Sequence, residues 1–114
     1  MITFKKKLLP FNHPDLASSY NNIGVIYKNL GDYAKALSNY KESLAIRQIS
    51  LSPNHPDLAS TYNNMGVAYE SMKNYSKALS FYEKAFDIAR NSLLANHPHR
   101  EIYENNLDRI KNQI

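Results

Sequence analysis

Apolar residues return at helical spacing along the whole chain, and short polar or Pro/Gly-containing stretches separate the runs. From 14 to about 30 they are Leu16, Tyr20, Ile23, Ile26, Tyr27 and Leu30, the periodicity of one face of an amphipathic helix. Pro14 suits the first helical position, where a missing N–H costs nothing, and Asp15 sets negative charge at the positive end of the helix dipole. Gly31-Asp32 breaks this helix, and Asp32 is placed to cap the next. Tyr33, Ala36, Leu37, Tyr40, Leu44 and Ile46 then mark a second helix to about 50, ended by Ser52-Pro53-Asn54. The same plan predicts helices from 56 to about 72, from 75 to about 94 and from 98 to about 113. Between the third and fourth, Lys73-Asn74 replaces the glycine break, with Asn74 expected in the left-handed turn.

The helices come in copies. Residues 12–27 read NHPDLASSYNNIGVIY, and residues 54–69 read NHPDLASTYNNMGVAY. A third, altered copy begins at Asn96-His97-Pro98, so Asn12, Asn54 and Asn96 recur every 42 residues. A fixed period of this length is the mark of stacked helical hairpins. It divides a single domain spanning 1–114 into a segment 1–11, a first repeat 12–53, a second repeat 54–95 and a final helix in 96–114. In the 42-residue register Phe4 falls on Ile46 and Ile88, and Leu9 falls on Leu51 and Leu93. Segment 1–11 therefore reads as the tail of a preceding second helix.

Tyr20, Ile23, Gly24 and Tyr27, followed by Tyr33, Ala36 and Tyr40, resemble the tetratricopeptide pattern W-x2-L-G-x2-Y…A-x3-F, with Tyr in place of Trp. Tyr62, Met65, Gly66, Tyr69, Tyr75, Ala78 and Tyr82 repeat the match. The small residues Gly24 with Ala36, and Gly66 with Ala78, would let paired helices approach closely while tyrosines fill the space beside them. The usual repeat has about 34 residues, and this one is about two helical turns longer. That length, with Asn-Asn in the first helix and His-Pro-Asp at the joint, resembles the tetratricopeptide domain of kinesin light chains. The resemblance implies an all-α, right-handed superhelical solenoid of antiparallel helix pairs, two full repeats plus a C-terminal capping helix. Kinesin light chains also carry a heptad coiled coil, and with none in these residues the chain is not expected to be a complete one.

The third copy departs from the pattern. Glu104, Asp108 and Lys111 stand where Tyr20, Gly24 and Tyr27 would face a partner helix, whereas Ile102, Leu107 and Ile110 keep an apolar stripe for the preceding unit. This is the composition of a solvated C-terminal cap. At the other end, Leu16, Tyr20 and Ile23 are expected to form an unprotected face, with only Phe4, Leu8 and Leu9 to cover it. Self-association through that N-terminal end, as a homodimer in which like surfaces meet, is therefore expected.

Composition narrows the function. No apolar run approaches the ~20 residues of a membrane span, and the N-terminus lacks the apolar stretch of a signal peptide, so a cytoplasmic protein with no membrane partner is expected. The net charge of +4 suggests nucleic acid only until residues 5–7 are set aside: they supply three of fourteen positive charges, leaving eleven against ten. No nucleic-acid partner is expected from the near-neutral repeats. His13, His55 and His97 recur at equivalent joints, a whole repeat apart, and so cannot converge as zinc ligands; they read as turn residues. With no cysteine, three glycines and no recognisable catalytic context, neither an enzyme nor a cofactor or metal site is expected.

The paired asparagines are the candidate site. Asn21, Asn63 and Asn105 hold one helical position in successive copies, and Asn22, Asn64 and Asn106 hold the next. In the resembling fold, stacked first helices line the concave surface, so these residues would form a ladder along a groove. An asparagine offers both a donor and an acceptor and can satisfy the backbone of an extended peptide whatever its side chains. Ser18 and Ser60 lie one turn before, Val25 and Val67 one turn after, and Lys28, Glu70 and Arg109 add charge at the margin. A carboxylate-gripping subclass of the family carries asparagine where this chain has Val25 and Val67, so binding of chaperone tails is not expected. The reading is a scaffold that binds a peptide segment of another protein. The competing readings are a purely structural or self-assembling piece of a larger array, and electrostatic binding of RNA or membrane through residues 5–7.

Overall fold

In the computed structural model of the chain, residues 13–94 and 96–114 are described. Among them five helices and no strand occur: α1 (Pro14–Asn29), α2 (Tyr33–Ser50), α3 (Pro56–Ser71), α4 (Tyr75–Ser92) and α5 (Pro98–Lys111). Each starts and stops within about two residues of the position its sequence signals indicate. The structure also explains why the joints repeat. His13, His55 and His97 are N-caps in extended conformation, and each Nδ1 accepts a hydrogen bond from the backbone N–H two residues on, at 3.0, 3.0 and 3.1 Å. Each imidazole thus satisfies one of the orphan donors at a helix start, and the following proline removes another.

The breaks inside the repeats share one geometry. Gly31 adopts φ +82°, the Gly31 N–H bonds to the Lys28 carbonyl and the Asp32 N–H bonds to the Tyr27 carbonyl, which is a Schellman ending. In the second repeat the left-handed residue is Lys73, at φ +63°, and not Asn74. Asn74 sits at φ −91° and caps α4 through its side chain, as Asp32 caps α2. The left-handed position is fixed by its distance from the helix end, so a lysine occupies it despite a cost of ~1–2 kcal/mol relative to glycine.

Within each repeat α1 packs on α2, and α3 on α4; between repeats α2 meets α3, α4 meets α5, and α1 touches α3. This is an all-α helical-repeat solenoid. One core cluster runs from Ala36, Leu37 and Tyr40 of α2 through Met65 and Ala68 of α3 to Tyr82 of α4 and Ile110 of α5. A second joins Leu58 and Ala59 to Ala85, Ile88 and Tyr103. The glycines sit where the paired helices touch. A Cβ on Gly24 would fall 2.5 Å from the Tyr40 ring, and one on Gly66 would fall 2.6 Å from the Tyr82 ring.

Exposure agrees with Ile23 as an unprotected position and corrects other details of the apolar pattern. Ile23, Ile26 and Leu30 are exposed, whereas Leu16 and Tyr20 are half-buried. On α5 the buried stripe is Tyr103, Leu107 and Ile110, and Ile102 points to solvent. Glu104, Asp108 and Lys111 are all exposed. Phe4, Leu8 and Leu9 lie outside the described residues. Among those described, no helix is long and apolar enough to cross a membrane.

Candidate functional site

The asparagine rows lie on α1, α3 and α5, the first helices of successive copies, and the structure links them. Asn64 Nδ2 donates to Asn21 Oδ1 at 2.9 Å, and Asn106 Nδ2 donates to Asn63 Oδ1 at 2.9 Å. Each bond joins the second asparagine of one helix to the first asparagine of the helix before it. This follows from helix phase: adjacent positions are turned by about 100°, so one points forward along the stack and the other back. Asn21, Asn63, Asn64 and Asn106 are half-buried, while Asn22 and Asn105, at the two ends of the rows, are exposed.

The pairing divides the hydrogen-bonding capacity. Asn21 and Asn63 accept through Oδ1, and among the described residues their Nδ2 donors have no protein partner. Val25 and Val67 are half-buried and pack their inner sides on the core cluster. Ser18 is exposed, Ser60 and Lys28 are half-buried, and all lie on these same helices. The face offers fixed amide donors, two valines one turn further along the helices and one cation at its edge.

At the far end the charges pair with each other. Arg109 reaches from α5 to Glu70 on α3 through Nε to Oε2 at 3.0 Å and Nη2 to Oε1 at 2.7 Å. Its Nη1 donates to Asn106 Oδ1 at 2.9 Å, and the Tyr82 hydroxyl donates to Glu70 Oε1 at 2.6 Å. A continuous network thus runs from Tyr82 on α4 through Glu70, Arg109 and Asn106 to Asn63. The Arg109 hydrogen bonds are the main force holding the Glu70 carboxyl below its usual range, against the opposing effect of burial. Burial, aided by the Glu70 carboxylate, pushes the Tyr82 hydroxyl strongly up.

The first repeat lacks this network. Lys28 replaces Glu70 and Val67 replaces Arg109 at the equivalent positions. Tyr40, the counterpart of Tyr82, is wholly buried with its hydroxyl unpartnered among the described residues, and burial pushes it up to about 12. In the sequence Glu70 and Arg109 stand as separate marginal charges. Their 39-residue separation is three short of the repeat, one turn earlier on the next first helix, which could have signalled the contact.

Elsewhere, an open cleft of about 480 Å³ lies between α4 and α5, floored by Phe86 and Leu107 and rimmed by Glu83, Asp87, Arg90 and Lys111. Arg47, buried on α2, ties the two repeats together by donating to Thr61 Oγ1 at 2.7 Å and to the Asp57 carbonyl at 3.3 Å. Among the described residues no three His, Asp or Glu side chains are grouped as metal ligands would be.

A family model described as tetratricopeptide repeat matches residues 15–91. No curated protein matches the chain. Among solved structures, TPR-like repeats from a candidate kinesin light chain of Podosopora anserina superpose with a TM-score of 0.83 at 22% identity, over 96% of this chain and 51% of that one. BtubC (BKLC) from P. vanneervenii superposes with a TM-score of 0.84 at 26% identity, over 90% of this chain and 41% of that one. The chain thus spans about half, or less, of the length of these proteins.

Proposed function

This chain belongs to the tetratricopeptide repeat family, whose repeats generally mediate protein–protein interaction without catalysis, and from that premise we propose that it holds an extended peptide segment of another protein along the asparagine face of α1, α3 and α5. The observation that carries this reading is the Nδ2 donor on both Asn21 and Asn63, without a partner among the described residues, each side chain already held by its bond to the next helix. Donors fixed before binding lose little entropy when a ligand arrives. Repeated at one helical position, they match a ligand whose acceptors also repeat, which is the carbonyl row of an extended backbone. Val25 and Val67 supply apolar contact one turn beyond the donors, and Lys28 marks the end at which charge remains available.

The competing reading is that the asparagine bonds only order the stack. Asn21→Asp with Asn63→Asp separates the two. Aspartate keeps the acceptor that Asn64 and Asn106 need but removes the outward-facing donors. Peptides selected from a displayed library on the natural chain should bind this double variant at least about fivefold more weakly, two lost hydrogen bonds at ~0.5–1.5 kcal/mol each, while its melting is little changed. Undiminished binding would refute the groove assignment.

A further inference from the structure

We propose that the outer face of α1 is a self-association surface, at which two copies of this chain pair about a two-fold axis through Ile23, Ile26 and Leu30. These side chains are 41, 57 and 74% exposed and recur at three- and four-residue spacing, so they form one stripe. On a helical projection the stripe lies roughly opposite Asn21, whose side chain reaches α3. It is therefore separate from the proposed peptide face.

The second repeat shows what this face ordinarily does. Its counterparts on α3 are Met65 and Ala68, 1 and 0% exposed, and Met72, 47% exposed. Ala68 is packed into the cluster that holds Ala36, Leu37 and Tyr40 of α2, so the face is the seat of a preceding second helix. On α1 that seat is altered. Ile26 stands where Ala68 stands on α3, adding three carbons at a point where the α3 copy is already fully enclosed. A helix docked on α1 as α2 docks on α3 would have to move outward to clear them, and overpacking of that kind is destabilising. The face is apolar, yet its shape disfavours the family's usual occupant.

Charge selects the occupant. The charged residues of α1 are Asp15 and Lys28, close to its two ends; the stripe is flanked by Asn22 and Asn29 on one side and by Leu16, Tyr20 and Tyr27 on the other. Two copies can approach without bringing like charges together. The opposite end of the solenoid differs, because a head-to-tail contact would strip water from Glu104, Asp108 and Lys111, all exposed. An antiparallel two-fold pairing of α1 places Ile26 against the partner's Ile26 and Ile23 beside the partner's Leu30. The contact is closed, so it makes dimers and not fibres. With three side chains per copy at its centre it is smaller than a standard interface, and the dimer is a weak, reversible one.

The chain has no cysteine, which makes the test clean. Sedimentation velocity of the full chain over a wide concentration range should show a reversible monomer–dimer equilibrium. Ile26→Asp, and independently Leu30→Asp, should each shift dimerisation to at least about tenfold higher concentration while helicity is retained. In a separate arm, Ile26→Cys should form an intermolecular disulfide far faster than Asp108→Cys. A strict monomer, Asp variants that dimerise as the natural chain does, equal cross-linking from both ends, or assemblies that keep growing would each overturn the proposal.

Discussion

Replacing Gly66 by alanine is expected to weaken the fold, although alanine is the better helix former by ~0.8–1 kcal/mol. The added Cβ would fall 2.6 Å from both Tyr82 Cδ1 and Cε1, and 3.2 Å from Cγ. Carbon atoms ordinarily rest about 3.5–4.0 Å apart, so the ring or the helix pair must shift by about 1 Å. The ring has little freedom to do so. Tyr82 is wholly buried, and its hydroxyl is held at 2.6 Å by a Glu70 carboxylate that Arg109 fixes in turn. Overpacking costs ~1–3 kcal/mol, and loss of a hydrogen bond to a charged group adds ~1.5–3 kcal/mol if the ring gives way. Set against the propensity gain, the net destabilisation should be ~0–2 kcal/mol if the Tyr82 hydrogen bond survives, and larger by ~1.5–3 kcal/mol if it is lost. That corresponds to roughly 4 °C in Tm for each kcal/mol in a chain of this size. Urea unfolding followed by far-UV circular dichroism measures it, with an unchanged m value expected. The control is the same substitution in a Tyr82→Leu background, where the methyl group has room and Gly66→Ala should become neutral or stabilising by up to ~1 kcal/mol. A raised midpoint in the natural background, or equal losses in both, would refute the reasoning.

Two further outcomes follow from the Glu70 network. Because Arg109 and Tyr82 hold the Glu70 carboxyl below its ordinary value of 4.5, its contribution is fully present above that pH and is lost as pH falls through the lower folded value. The natural chain should therefore lose more stability than Glu70→Gln between about pH 5 and pH 3, by ~1 kcal/mol or less because Arg109 is half exposed; parallel urea midpoints across that range would exclude it. Moving the network into the first repeat with Lys28→Glu and Val67→Arg should give the orphaned Tyr40 hydroxyl an acceptor. The two substitutions together should then exceed the sum of the singles by ~0.5–1.5 kcal/mol in a double-mutant cycle, and zero coupling would show that the arrangement depends on features of α5.

What was legible in the sequence was whatever near neighbours along the chain decide. The 42-residue period, the His-Pro-Asp helix starts and the Gly31 break all depend on residue types at fixed local offsets, and each is found where the sequence places it. The family pattern carried the fold for the same reason. The left-handed residue is Lys73 and not Asn74, because its place is counted from the end of α3 and not chosen by propensity.

Tertiary structure decided how the repeats meet. Both asparagine rows were visible in the sequence, but that Asn64 bonds Asn21 and Asn106 bonds Asn63 depends on the relative phase of helices 42 residues apart. So does the pairing that takes Arg109 out of the set of free charges and binds it to Glu70. Ile26 and Leu30 read as core by their spacing, and only the absence of a covering helix among the described residues shows them exposed, as Ile23 was expected to be. Periodicity reports which side of a helix is apolar. Whether that side is enclosed, and by what, depends on contacts that no stretch of sequence contains by itself.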